Sequence, residues 1–212
     1  LALCGMALIP TLLITLFVAI AIKIEDGGSV FYKQKRVTRD GKTFEILKFR
    51  SMIENAEING KPQPATDNDS RITKVGKLIR ACRIDELPQI FNILKGDMSI
   101  VGPRPERVEH CEIYGAEIPE FELRNKVKGG LTGFAQIYGK YNTSALDKLK
   151  LDLMYIENYS LMLDIKLVLM TVRILFKKES TEGFIENQNF ANDMIKFNQE
   201  EQKQNEHYAN SK

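Results

Sequence analysis

Histidine and cysteine are scarce in this sequence, with two histidines and three cysteines in 212 residues. His207 lies in a polar tail and His110 stands alone, which argues against a zinc centre or a histidine-based catalytic triad. Cys4, Cys82 and Cys111 show neither metal-ligand spacing nor a CxxC pair. That pattern points away from a disulfide framework and fits a reducing, cytosolic setting. The glycine-rich stretch Gly129–Gly133 lacks the Lys-Ser/Thr that completes a P-loop, so an ATPase is not indicated. No internal repeat is present. The net charge is only +2, and no nucleic-acid partner is expected.

The charges are nonetheless uneven. Between Lys33 and Arg107 the basic residues include Lys35, Arg36, Lys48, Arg50, Arg80 and Arg104. Such a stretch suits phosphate groups or an anionic membrane surface, and equally an ordinary solvated face.

Charge is missing altogether from Leu1 to Ile22. As one helix this run would be about 33 Å long, enough for the ~30 Å hydrocarbon core of a bilayer. Pro10 complicates that reading, because proline removes a donor and clashes with the preceding turn. A sharp break would leave arms of about 13 and 18 Å, neither of which spans alone. A kinked span and a segment that dips in and returns are both open, with a span favoured on the residues alone. Lys23, Lys33, Lys35 and Arg36 follow, which puts the end of the segment in the cytoplasm. The run begins without a charged flank, so the chain is expected to be a piece of a longer protein.

Beyond it, Ser29–Val37 and Thr43–Phe49 are rich in β-branched and aromatic residues, with the turn signal Asp40-Gly41 between them; the spacing predicts a β-hairpin. Glu54–Asp69 reads as a mobile loop. Val75–Cys82 reads as a helix, and Asp85 as the cap of another, with Pro88 in its first turn and Gly96 at its end. Gly129–Gly139 reads as a loop with one strand. Leu146–Phe176 is a long helical region whose second half, Leu161–Phe176, is either a core helix or one lying on a bilayer. Glu186–Lys212 is polar and predicts a disordered or weakly helical tail.

Three features could carry chemistry. Asp85-Glu86, preceded by Arg80 and Arg83, offers one carboxylate for a phosphorus and another for a divalent cation. The alternative is a helix cap with surface ion pairs. Gly102-Pro103-Arg104-Pro105 is a stiffened loop that presents Arg104 with little entropy left to lose. Lys48-Phe49-Arg50 ends the hairpin, and alternation puts Lys48 and Arg50 on one face. Asp67-Asn68-Asp69 is similar to the DxD metal site of many glycosyltransferases, but no nucleotide-binding βαβ unit surrounds it.

Taken together, the segments resemble the bacterial sugar transferase family, the monotopic polyprenyl-phosphate phosphoglycosyl transferases. The matching stretches are Phe31–Val37, Lys48–Met52, Ile84–Gln89, Lys95–Pro105 and Gly130–Gln136. They run in order and with family-like spacing, and the block from Asp85-Glu86-Leu87-Pro88-Gln89 to Gly102-Pro103-Arg104-Pro105 is very specific. The resemblance implies that Asp85 is a nucleophile, attacking the β-phosphate of a UDP-sugar to release UMP and hold a phosphosugar. Polyprenyl phosphate then takes the phosphosugar. It implies Glu86 as the Mg2+ ligand, with Arg80 and Arg104 on phosphate, and Lys48 and Arg50 are carried as further phosphate-binding candidates. Mg2+ and the arginines are expected to hold the Asp85 pKa down.

The resemblance also reverses the preference for a span, implying a re-entrant helix broken at Pro10 with both ends on the cytoplasmic face of the bacterial membrane. Ile9 stands where the family has Ser before that proline. The resulting expectation is an α+β protein, mostly helical with a small β-hairpin. Residues 1–24 form the membrane helix, 25–184 the catalytic domain and 185–212 the tail. The carboxyl-terminal pattern through Phe184 is similar to larger exopolysaccharide and capsule members. Membrane lipids are expected partners beside the two substrates, and a homodimer stays open. Two other readings remain: a conventional metal-dependent glycosyltransferase using Asp67 and Asp69, and a non-catalytic membrane module that binds nucleotide-sugars.

Overall fold

A computed structural model describes residues 2–56, 65–66, 69–139 and 143–175. The expected tail at 185–212 lies outside them, as does Asp67. The chain opens with helix α1, Ala2–Asp26, and continues into an antiparallel hairpin of β1, Phe31–Val37, and β2, Thr43–Phe49. Phe31 pairs with Phe49 and Val37 with Thr43, so the hairpin forms where alternation placed it. Asp40 adopts φ 59° at the tip, a conformation aspartate tolerates better than most side chains.

Helix α2, Lys74–Ala81, begins at Thr73, whose side chain accepts the Gly76 amide. A 3-10 turn over Ile84–Glu86 follows and leads into α3, Gln89–Lys95, which Gly96 ends at φ 91°. Asp85 therefore sits inside the turn and does not cap the helix. Arg83, left-handed at φ 53°, holds the cap position and makes no side-chain cap bond. The i→i+3 bonds Glu86 to Arg83 and Leu87 to Ile84 start the chain coiling before Pro88, where the sequence signal suggested one continuous helix.

The rest wraps a second, parallel pair: β3, Ser99–Val101, beside β4, Gly130–Thr132. Between them run α4, Val108–Glu117, and a 3-10 stretch over Pro119–Lys126. Helices α5, Phe134–Tyr138, α6, Ala145–Glu157, and α7, Leu161–Leu175, complete the fold. The long helical region expected over 146–176 is thus two helices parted at Asn158. Mixed helix and strand, with only small sheets, matches the expected α+β class.

Three apolar clusters hold these parts. Phe44, Ile46, Ile90, Ile93 and Met98 join the hairpin to α3. Val101, Phe134, Ile137, Tyr155, Leu163 and Leu167 seat β3 on α5, α6 and α7. Val18, Ile22, Phe49 and Ile79, with Ile84 and Leu87 packed against them, seat α1 beneath the Asp85 turn. Helix α1 runs as helix through Pro10, so the proline does not end it. Proline removes only its own amide bond, and an apolar helix keeps the flanking turns hydrogen-bonded by bending. From Leu8 to Asp26 it is long and apolar enough to cross a membrane. One stripe, Thr11, Val18 and Ile22, is buried on the domain, while Ile9, Leu12, Leu13, Leu16, Phe17 and Ile20 are exposed. Helix α7 divides likewise: Leu163 and Leu167 are in the core, and Leu161, Met162, Ile165 and Leu169 are exposed.

Candidate active site

The hairpin, the Ile84–Glu86 turn and the Gly102–Pro105 loop bring three charged side chains to one point. Lys48 leaves β2 and donates to Glu86 Oε1 at 2.6 Å. Arg104 donates to the same oxygen, and its Nη1 lies 3.5 Å from Oε2. Asp85 is half-buried beside them. Burial drives its carboxyl pKa up, helped by the Glu86 charge and opposed by Lys48, Arg80 and Arg104. Mg2+ and the arginines were expected to hold it down; against Lys48, Arg80 and Arg104 alone, removal from water wins. Glu86 behaves oppositely. Burial works against its charge, but Arg104 and Lys48 overcome that and hold it well below the usual carboxylate range. Lys48 is lowered by burial, which Glu86 opposes. Arg104 is raised, first by Glu86.

Each member is delivered by a separate piece of backbone. Lys48 lies in the hairpin register opposite Tyr32. The turn bearing Asp85 rests on Ile84 and Leu87 against α1. Arg104 is held from behind by two arginines that bind successive carbonyls. Arg124 Nη2 donates to the Arg104 carbonyl at 2.9 Å, and Arg36 Nη1 to the Pro105 carbonyl at 3.0 Å. Arg124 is itself fixed by Asp152, through Nε at 2.9 Å and Nη2 at 2.6 Å to one carboxylate oxygen. Both are buried, and Glu106 lies close by, 3.4 Å from Lys148. Gly102 starts the loop because a Cβ there would stand 2.5 Å from the Lys128 carbonyl.

Of the residues singled out in the sequence, Glu86, Lys48 and Arg104 are in contact, with Asp85 beside them and Arg80 within electrostatic reach of Asp85. Arg50 does not join them. It is buried and paired with Asp26, with Nε on the Ser29 carbonyl at 2.6 Å. Strand β2 ends at Phe49, so the alternation that would have put Arg50 beside Lys48 no longer applies. Asp69 is also committed: both its oxygens take the Arg71 guanidinium, and Nη2 to Oδ2 is 2.6 Å. Sequence reasoning missed Arg36, Arg124 and Asp152. Asp152 lies on α6 amid apolar residues, and a lone acid on an apolar face was the available signal.

Among the described residues no three acidic, histidine or cysteine side chains gather as a metal cage. Glu86 with Asp85 beside it is a two-carboxylate edge. That donor set suits Mg2+, which keeps waters and is commonly completed by substrate phosphates. The residues therefore fit a metal that arrives with a diphosphate, and not a resident cage.

Comparison with known proteins gives a consistent picture. The model of the family described as bacterial sugar transferase matches residues 1–178. The chain is 46% identical over 160 residues to the UDP-N-acetylgalactosamine-undecaprenyl-phosphate N-acetylgalactosaminephosphotransferase of Aeromonas hydrophila, covering 74% of this chain and 38% of the relative. It is 46% identical over 164 residues to the UDP-glucose:undecaprenyl-phosphate glucose-1-phosphate transferase of Klebsiella pneumoniae, covering 75% and 35%. The uncharacterized sugar transferase EpsL of Bacillus subtilis is 40% identical over 172 residues, covering 81% and 82%. The chain thus spans little more than a third of the first two relatives and most of the third.

Proposed function

This chain belongs to the bacterial sugar transferase family, and from that premise we propose that it moves a phosphosugar from a UDP-sugar to polyprenyl phosphate, releasing UMP. The observation that carries the reading is the convergence of Lys48 and Arg104 on Glu86, next to the half-buried Asp85. A site with two cations and two carboxylates is matched to a diphosphate. The two cations have an anionic partner already, and the diphosphate is the stronger one.

Asp85 Oδ attacks the β-phosphorus of the donor. The bond from that phosphorus to the bridging oxygen breaks, UMP leaves with the electron pair, and the phosphosugar stays on Asp85 as an acyl phosphate. A polyprenyl phosphate oxygen then attacks the same phosphorus. The Asp85–phosphorus bond breaks, giving polyprenyl diphosphate sugar and the free carboxylate. Splitting the transfer lets a water-soluble donor and a membrane-bound acceptor use one site in turn. Lys48, Arg80 and Arg104 stabilise the phosphoryl oxygens as charge shifts to the leaving UMP. With Lys48 and Arg104 engaged by the diphosphate, Glu86 would be available as the residue that holds Mg2+. The metal supplies further neutralisation of phosphate charge.

The exposed apolar rows on α1 and α7 support attachment to a membrane, and Lys23, Lys33, Lys35 and Arg36 after the apolar run favour its cytoplasmic face. The stripe that α1 buries on the domain from Thr11 to Ile22 argues for a helix lying with the domain at the bilayer, in place of a plain span. Arg50 and Asp69, each committed to an internal ion pair, take no part. For Asp69 this disfavours the conventional glycosyltransferase built on the 67–69 loop. The test is a panel of UDP-sugars with undecaprenyl phosphate and Mg2+, scored by nucleotide product. UMP supports the reading; UDP would indicate direct sugar transfer, and no product at all would leave a binding module.

A further inference from the structure

The end of α1 is tied to the domain by two adjacent carboxylates that the reaction does not use. Glu25 reaches the start of α2, its Oε1 accepting the Lys74 amide at 2.6 Å and its Oε2 the Val75 amide at 3.0 Å. These are amides that a helix start leaves without internal partners. Asp26 grips the buried Arg50, with Nη1 to Oδ2 at 2.9 Å, and also accepts the Gly28 amide at 3.1 Å. Gly28 permits the grip, since a Cβ there would lie 2.5 Å from Arg50 Nη1. Arg50 in turn holds the Ser29 carbonyl and follows directly on Phe49. Phe49 shares one apolar cluster with Val18 and Ile22 of α1 and with Ile84 and Leu87, the two residues flanking Asp85-Glu86.

Membrane-facing helix, hairpin end, α2 and nucleophile turn are therefore one continuous block, and Glu25 and Asp26 are its fastenings. The donor arrives from water, and its approach does not depend on where α1 lies in the bilayer. The acceptor phosphate is confined to the bilayer surface, and its distance from Asp85 depends on the angle between α1 and the turn. A misplacement of about 1 Å at a reacting centre can cost about a hundredfold in rate.

We propose that Glu25 and Asp26 are positioning residues for the lipid half of the reaction: they lock α1 to the Asp85 turn and set the height at which the phosphosugar meets polyprenyl phosphate. This rests on the phosphoglycosyl transfer reading above. The experiment uses full-length protein in lipid nanodiscs, with Glu25→Ala, Asp26→Asn and the conservative Asp26→Glu. Three rates are read: the burst of UMP without acceptor, transfer to undecaprenyl phosphate in the bilayer, and transfer to a water-soluble short-chain prenyl phosphate. Glu25→Ala and Asp26→Asn should lose about tenfold or more in the bilayer rate, with the burst and the soluble-acceptor rate within about threefold of wild type. Asp26→Glu should recover most of the loss. A uniform fall in all three rates would reduce the pair to structural support, as would a bilayer rate that stays at wild type in both. Should Asp26→Asn fail to fold by melting and UDP binding, Glu25→Ala, which removes only the α2 caps, decides alone. Absence of any UMP burst in wild-type protein would instead sink the underlying reaction and is read separately.

Discussion

Two arginine–carboxylate clusters flank Arg104, and they differ in how far water reaches them. On one side Lys48 and Arg104 hold Glu86, with the Arg104 side chain 37% exposed. On the other Arg124 holds Asp152, with side chains 3% and 1% exposed. The chemistry is nearly the same, but on the proposed reaction only the first, reached by water, has partners that a phosphate could replace. Water reaches Arg104, and in the proposed reaction its ion pair is a resting arrangement. Arg124 is sealed, stacked 4.9 Å over Phe121, and its work is to hold the Arg104 carbonyl. An ion pair becomes a functional device only when something else can displace one member.

The largest effect should come from the open side. Asp85→Asn removes the proposed nucleophile and should cut UMP release by about a thousandfold or more, while UDP-sugar binding persists. Isothermal titration beside a UMP assay checks both halves of that statement. Asp152→Asn should act through the sealed side. It leaves a buried guanidinium uncompensated and should lower unfolding stability by about 3–5 kcal/mol. The double change Arg124→Met with Asp152→Leu should recover most of that stability in a denaturant melt, but not full activity, because the Arg104 carbonyl loses its donor. Activity restored together with stability would erase the distinction between the clusters.

These two clusters also mark how much could be read from sequence. Asp85, Glu86 and Arg104 stood out in the sequence because they fall in contiguous motifs with helix, turn and proline signals around them. The hairpin was legible through its alternation and Asp40-Gly41. What brings Lys48 to Glu86, 38 residues away, is tertiary packing of β2 on the catalytic turn, which no local pattern encodes. The Arg124–Asp152 pair, 28 residues apart, is hidden for the same reason. Arg50 misled because strand alternation was carried one residue past the strand's end. The strands β3 and β4 have three residues each, too short for a periodic signal.

A smaller loss sharpens the comparison further. Arg104→Lys keeps the charge but loses the planar two-pronged contact, and should cost about a hundredfold in kcat/KM for the donor, with the melting temperature nearly unchanged. The smallest effect is on pH dependence. Burial, with the Glu86 charge, raises the Asp85 pKa against the pull of Lys48, Arg80 and Arg104. In the proposed mechanism Asp85 reacts as the anion, so protonation should stop the reaction as pH falls. The acid limb of kcat/KM should therefore lie above that of an ordinary aspartate. Arg80→Gln should move it higher still. An acid limb in the usual aspartate range would mean that solvent reaches Asp85 freely.

The central claim is that Asp85 carries the phosphosugar between donor and acceptor. Intact-mass measurement of the protein after incubation with UDP-sugar and Mg2+, lipid omitted and the reaction rapidly quenched, tests it most directly. An added mass of one phosphosugar should appear, map to the peptide containing Asp85 and disappear when polyprenyl phosphate is supplied. Steady turnover with a strictly ternary kinetic pattern and no adduct at any quench time would contradict it.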